Sequence, residues 1–239
     1  MIDTILFDLD GTLLPMNQEL FIKHYGEALL KKCYPKYGEK SKELIYILLK
    51  SINVMYVNDG KVTNEELFWN YFSKKIDIDR GEIEPFLNEF YDNEFKDIVK
   101  ACNPTLLAKE VVDLLKEKGY KVVLTTNPFF PKKATHNRVK WAGLDPDSFE
   151  LITVFENSHF CKPNLKYYEE VLNKINKQSC NCLMVGNDVL EDGVVENLGI
   201  PCFLITDCLI NSKNLNVDTK YNGSFVEFLE FAKNLPNIK

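Results

Sequence analysis

Asp8 and Asp10 stand one residue apart, directly behind the apolar run Ile5-Leu6-Phe7 and directly before Gly11-Thr12. A short apolar run closed by Gly reads as a buried strand. Strand side chains alternate faces, so both carboxylates project to the same side just where the strand ends. Like charges that close oppose each other's ionisation unless a cation or a proton relieves them. Such a pair suits a nucleophile and an acid/base partner around a metal. Gly11 lets the backbone turn sharply, and Thr12 offers a hydroxyl and a helix-start signal. A calcium loop needs more oxygen ligands than this segment carries.

Other polar groups come after later apolar runs in the same way. Thr126 and Asn127 come after Lys121–Thr125, with short polar side chains and a free backbone N–H that can cradle an oxyanion. Lys162-Pro163 lies beyond residues 151–155, a lone cation beside a stiffening Pro. Gly186-Asn187-Asp188 through Asp192 closes the run 182–185, its Asp188 and Asp192 four residues apart and on one face if a helical turn forms. Up to four carboxylates against one lysine would repel an anionic substrate unless a divalent cation bound first. The all-oxygen donor set favours Mg²⁺. With Mg²⁺ and Lys162 in place, the site suits phosphoryl transfer. Arg80 and Arg138 are the only arginines. A bidentate Arg clamp on the phosphate is therefore not expected, and a Lys point charge has to serve.

These groups need a scaffold that gathers strand ends. From residue 104 onward, strands at 121–125, 151–155, 182–185 and 201–205 alternate with helices. One helix starts at Asn103-Pro104, as N-cap and first-turn Pro, and runs to Gly119. Others span 131–142 and 165–175, one closes at Gly199, and one is capped by Ser224. The alternation predicts an α/β fold: a Rossmann-like, mostly parallel sheet with helices on both faces, and ligands outside the strand carboxyl ends. Residues 15–103 break that rhythm, with helical periodicity at roughly 18–33, 40–56, 64–76 and 83–100 and no strand. We read 1–14 and 104–239 as the catalytic core and 15–103 as an inserted all-helical cap. The cap is expected to be a separately packed lid, hinged near Leu14-Pro15 and Cys102-Pro104. It holds 14 of the chain's 29 aromatics, so its stripes read as packing rather than as a ligand box.

At 239 residues and a net charge of -6, with no block of basic residues, the chain is a poor partner for a nucleic-acid polymer. The N-terminus lacks a signal-peptide pattern, and no apolar run has the length of a membrane span. Seven cysteines are an odd number without scaffold spacing, which points to reduced thiols in the cytoplasm. Cys180 and Cys182 form a lone pair with no nearby His, which argues against zinc. A monomer or homodimer is expected.

The four motifs, Asp8-Leu9-Asp10-Gly11-Thr12, Thr126, Lys162 and Gly186-Asn187-Asp188 through Asp192, resemble those of the haloacid dehalogenase-like hydrolase superfamily. The insertion between the first and second resembles its helical type C1 cap. The resemblance implies a Mg²⁺-dependent phosphatase that acts on a small phosphorylated metabolite through an aspartyl-phosphate. Asp8 would be the nucleophile. Asp10 would protonate the leaving oxygen and then activate water. Thr126 and Lys162 would hold the phosphoryl group, with Asn127 beside them. Asp8, the Asp10 backbone carbonyl and Asp188 would ligate Mg²⁺, and Asp192 would support them through water or Lys162. Many relatives run Gly-Asp directly where this chain has Asn187 between Gly186 and Asp188. True dehalogenases of the superfamily lack an acid at the Asp10 position. A sugar phosphomutase on the same core would need a bisphosphate activator, and a non-catalytic phospho-ligand-binding module would release no phosphate. Asn17, Phe21, Phe129, Phe130 and His159 are candidates for the cleft rim. His24 and His136 read as structural, and Cys161 as a core-filling thiol.

Overall fold

The computed structural model describes residues 1–217 and 219–238. Five strands form one all-parallel sheet: β1 (Thr4–Phe7), β2 (Lys121–Leu124), β3 (Cys182–Gly186), β4 (Cys202–Ile205) and β5 (Tyr221–Gly223), in the order β2-β1-β3-β4-β5. The central strands read as unbroken apolar runs because both faces are covered. Ile5, Phe7, Leu124 and Val185 enter one apolar cluster, while Leu6, Val123 and Met184 enter the other. The first face packs under α5 (Leu107–Glu117) and α8 (Phe225–Asn234). The second packs under α7 (Leu165–Lys174) and the 3₁₀ turns Gly193–Leu198. From β1 the chain steps to β2 on one side, then crosses back to β3 on the other. The crevice at the carboxyl ends of β1 and β3 is thus the topological switch point where such sheets bind ligands.

Three local expectations differ from the structure. The strand at 151–155 shrinks to a single parallel bridge between Leu124 and Ile152. Beyond it the Asn157 side chain accepts from Val154 N–H and donates to the Ile152 carbonyl, on the edge away from β2, as the chain turns through Phe155–Asn157. α5 starts at Leu107, and Asn103 N–H instead ties the leaving segment to the Pro15 carbonyl at 2.7 Å. β5 is an additional strand; its Tyr221-Asn222-Gly223 carries no apolar run to announce it.

Between β1 and α5 lie only helical elements: α1 (Gln18–Tyr37), α2 (Lys40–Val54), the 3₁₀ turn Met55–Val57, α3 (Asn64–Ser73), α4 (Arg80–Asp92) and the 3₁₀ turns Glu94–Ala101. Asn17 caps α1 by accepting from Leu20 N–H. The entering and leaving segments pair with each other, Met16 bridging Cys102 in antiparallel fashion. The insertion also packs against the core. Phe21 and Tyr25 of α1 meet Phe130 edge to face at 6.2 and 5.5 Å, and Phe95 stacks on Trp141 of α6 (Lys132–Trp141) at 5.0 Å. These rings belong to the same apolar cluster as the first sheet face. Among the described residues, no helix is long and apolar enough to cross a membrane.

Candidate active site

The ladders of β1 continue one residue past its end. Asp8 N–H donates to the Val185 carbonyl at 2.9 Å, and Thr125 N–H donates to the Phe7 carbonyl at 2.7 Å. Asp8 is thereby fixed beside the ends of β2 and β3. Lys162 Nζ, almost wholly buried, donates to Asp8 Oδ1 at 2.8 Å and Asp192 Oδ1 at 2.6 Å. Asp192 Oδ2 accepts from the N–H groups of Asn187 and Asp188, so both its oxygens are engaged. Gly186 makes this possible, because a Cβ there would collide with the Asp192 carboxylate. Gly11 has φ +93°, and a Cβ on it would strike the Asn187 amide. That amide accepts from Thr12 Oγ1 at 3.0 Å and donates to the Cys208 carbonyl at 2.7 Å. Thr12 therefore ties the first loop to the third and starts no helix.

The charge count is uneven. Burial pushes Asp8 up to about 7 despite the pull of Lys162, with Asp192 and Asp10 adding to the rise. Burial likewise raises Glu191 to about 7 and lifts Asp188. Burial alone would push Lys162 down, but Asp192 and Asp8 hold its ammonium charged. The site thus cannot keep all its carboxylates ionised on its own cations. Asp8 Oδ2 has only a 3.5 Å contact from Thr12 Oγ1. Asp188 uses Oδ1 to accept from Leu190 and Glu191 N–H. Among the described residues, no three His, Cys, Asp or Glu side chains converge on one metal point. A cation held here would need to accept one or two carboxylates, a carbonyl and waters, as Mg²⁺ does.

The residues open onto a cavity of about 370 Å³, lined by Asp8, Asp10, Thr126, Asn127, Asp188 and Asp192 at the sheet edge and by α1 and α2 opposite. A family model described as haloacid dehalogenase-like hydrolase matches residues 2–192. The chain belongs to this family. It is 26% identical over 188 residues to pyrophosphatase PpaX of Halalkalibacterium halodurans, spanning 78% of this chain and 75% of that one. The corresponding protein of Bacillus cereus (strain ATCC 10987 / NRS 248) is 25% identical over 189 residues, with the same coverage. Among solved structures, a HAD phosphatase from Thermococcus onnurineus superposes with TM-score 0.63 at 17% identity, covering 99% of this chain and 100% of that one. L-2-haloacid dehalogenase from Xanthobacter autotrophicus gives 0.57 at 12%, covering 98% and 100%.

Within this hydrolase, the residues singled out in sequence divide into cavity wall and support. Lys162 stands behind Asp8 rather than on the wall. Asn127 lines the cavity, but its side chain is engaged: Oδ1 accepts from Lys162 N–H and Nδ2 donates to Glu191 Oε2. What it offers a ligand is its backbone N–H, which has no partner among the described residues. The Thr126 carbonyl is held by Thr153 Oγ1 and Tyr167 Oη, and the residue lines the cavity. Phe21, Phe129 and Phe130 line the cavity; Asn17 and His159 do not. Cys161 is buried and accepts from Asn64 Nδ2.

Two residues escaped sequence reading. Arg138 of α6, the larger of the buried cations, pairs through Nη1 with Asp10 Oδ2 and lies 4.5 Å over the Phe130 ring. It clamps an aspartate, not a phosphate. Its signal was a charge at a buried helix position, three and four residues after buried Thr135 and Ala134. Glu191, adjacent to Asp192, adds a fifth carboxylate to the cavity wall.

Proposed function

We propose that this hydrolase is a Mg²⁺-dependent phosphomonoesterase acting on a small phosphorylated metabolite through an aspartyl-phosphate. The observation that carries this reading is Asp8: a buried carboxylate on the cavity wall, one oxygen gripped by Lys162 and the other almost unengaged. The donor set fits Mg²⁺, which Asp8, the Asp10 carbonyl and Asp188 would hold with waters. When bound, Mg²⁺ offsets the surplus carboxylate charge and polarises the phosphoryl oxygens.

The chain's own groups then divide the work. Lys162 pulls Asp8 toward its ionised form and aims it, and Asp192 holds Lys162. The Thr126 side chain and the Asn127 N–H receive the phosphoryl oxygens. Asp8 attacks phosphorus. Asp10, on the cavity lining, is the carboxyl group left to deliver a proton to the leaving oxygen and later to take one from water. Arg138 fixes the orientation of that carboxylate through Oδ2. The acid at position 10 and the similarity to pyrophosphatases PpaX favour phosphoryl over carbon–halogen hydrolysis.

The test is direct. Purified protein with Mg²⁺ and phenyl phosphate is expected to release phosphate, to stop in EDTA, to resume on added Mg²⁺ and to be inhibited by Ca²⁺. Chloride release from 2-chloropropionate without phosphate release, or hydrolysis undiminished by chelation, overturns the proposal.

A further inference from the structure

We infer that the leaving-group half of the cavity selects phosphate monoesters whose alcohol part is uncharged and apolar, aryl or alkyl. It disfavours a second phosphate or a polyhydroxylated sugar. This deepens the phosphomonoesterase reading and rests on it.

Charge supplies the first argument. The described residues lining the cavity include five carboxylates and no Lys, Arg or His. The nearby cations are committed, Lys162 to Asp8 and Asp192, Arg138 to Asp10. A second phosphate would bring about one to two further negative charges to a wall with no cation to meet them. One Mg²⁺ answers the surplus at the sheet edge and leaves the far half without a counter-charge.

The second argument is the count of hydrogen-bonding groups. Away from the phosphate end, the free neutral polar side-chain lining reduces to the amides of Gln18 and Asn53, since the Tyr25 hydroxyl is paired with Tyr91 and the Tyr56 hydroxyl lies beside Glu191. A sugar presents several hydroxyls, and each one buried without a partner costs about 1–3 kcal/mol.

The third is the shape of the apolar wall. Phe129 comes directly after the phosphate-binding turn, and its ring sits 4.7 Å from that of Tyr56, beyond the end of α2, so the two rings join the sheet side to the insertion. Phe21, Tyr25 and Phe130 form an edge-to-face group beside them. Ile22 is 60% exposed and Tyr56 44%, both on the cavity lining. A hydrocarbon group seated there would cover this surface and gain from leaving water. The volume of about 370 Å³ lies at the small end of ligand sites, roughly 300–1,000 Å³.

The experiment compares benzyl phosphate with glycerol 3-phosphate, glucose 6-phosphate and inorganic pyrophosphate, all with the Mg²⁺-loaded full chain. Benzyl and glycerol phosphates share a primary alkoxide leaving group, which isolates binding from leaving-group chemistry. kcat/KM for benzyl phosphate should exceed that for each of the other three by about tenfold or more, the scale of one well-packed hydrocarbon group. Ile22→Lys, which puts a cation on the apolar lining, should narrow the gap between benzyl phosphate and pyrophosphate about tenfold. Equal or reversed preference overturns the inference while leaving the phosphatase intact. If no ester is hydrolysed, calorimetric binding of benzylphosphonate against methylenediphosphonate still decides: weaker binding of benzylphosphonate overturns the inference, and tighter binding upholds it although the phosphatase reading has failed.

Discussion

At the sheet edge of the cavity, Asp8, Lys162, Asn187 and Asp192 are almost wholly buried and tied to one another or to backbone N–H groups within about an ångström of tolerance. At the far end, Ile22 and Tyr56 are exposed, and the wall is held by ring contacts between α1, the end of α2 and Phe129-Phe130. The first region is built from strand ends, whose ladders fix atoms in register. The second is built from helix faces, whose apolar contacts tolerate exchange of one hydrocarbon for another. Changes at the sheet edge should therefore act on the rate of chemistry, and changes at the far end on which ester is accepted.

The largest effect is expected at Asp8. Asp8→Asn keeps the shape but supplies an amide that cannot attack phosphorus, so kcat should fall by at least about a thousandfold. The fold should persist, since a buried carboxylate among Asp10 and Asp192 is replaced by a neutral group. Circular dichroism and phosphate release check both halves. Residual turnover above a few per cent of wild type would remove Asp8 from the role of nucleophile.

Arg138 comes next. Arg138→Met retains the packing over Phe130 but removes the partner of Asp10 Oδ2. We expect kcat to drop about 10- to 100-fold with KM for phenyl phosphate nearly unchanged, because Asp10 keeps its place in the chain and loses its orientation. Stability should fall by about 1–3 kcal/mol, the scale of a lost hydrogen bond to a charged group. An unchanged kcat in a folded variant would reduce Arg138 to a packing residue.

Arg138 also marks how far the sequence is legible. The strand ends and their aspartates could be read because strands covered on both faces appear as apolar runs, and in a parallel sheet the residues just past each run share one edge. That Arg138 required a partner was visible in the buried stripe of its helix. That the partner was Asp10, 128 residues earlier, is a tertiary fact. The segment at 151–155 keeps hydrogen bonds to Leu124 through Leu151 and Thr153, and the Asn157 side chain takes the Ile152 carbonyl and Val154 N–H on the opposite edge, a local tie that no apolar run announces. The union of insertion and core was hidden differently. Phe21, Tyr25, Leu29 and Cys33 form a clear i, i+4 stripe on α1, but periodicity does not say that part of the stripe meets Phe130.

A smaller, pH-dependent effect separates the two ends by charge. Asp8 and Glu191 are raised from 3.8 and 4.5, each to about 7. Between those limits the folded protein binds more protons than the unfolded chain, so metal-free stability should fall as pH rises from about 4 to about 7. Melts at about pH 5 and pH 7.5 should differ by several degrees without metal. Excess Mg²⁺ should recover most of that loss, since it answers the charge that protons relieve at low pH. A melting temperature that rises with pH in chelator would show that the carboxylates are already balanced.

The smallest effect is expected at His159, where the contrast between the two ends is most easily broken. Close in sequence to Lys162, this imidazole would place a basic ring near the ligand if it reached the cavity. Instead its Nδ1 lies 2.8 Å from Glu170 Oε1, its backbone N–H donates to the other oxygen of that carboxylate, and Lys174 closes on the same group. The pair is bound to α7, behind the cavity wall. His159→Ala should thus cost a few tenths of a kcal/mol to about 1 kcal/mol in stability, as exposed ion pairs do. It should change kcat/KM for benzyl phosphate and pyrophosphate by less than about twofold, because the carboxylate left behind is still held by Lys174 and faces away from the ligand. A loss of threefold or more confined to pyrophosphate would put a cation at the far end after all, and the selectivity argued from its absence would have to be withdrawn.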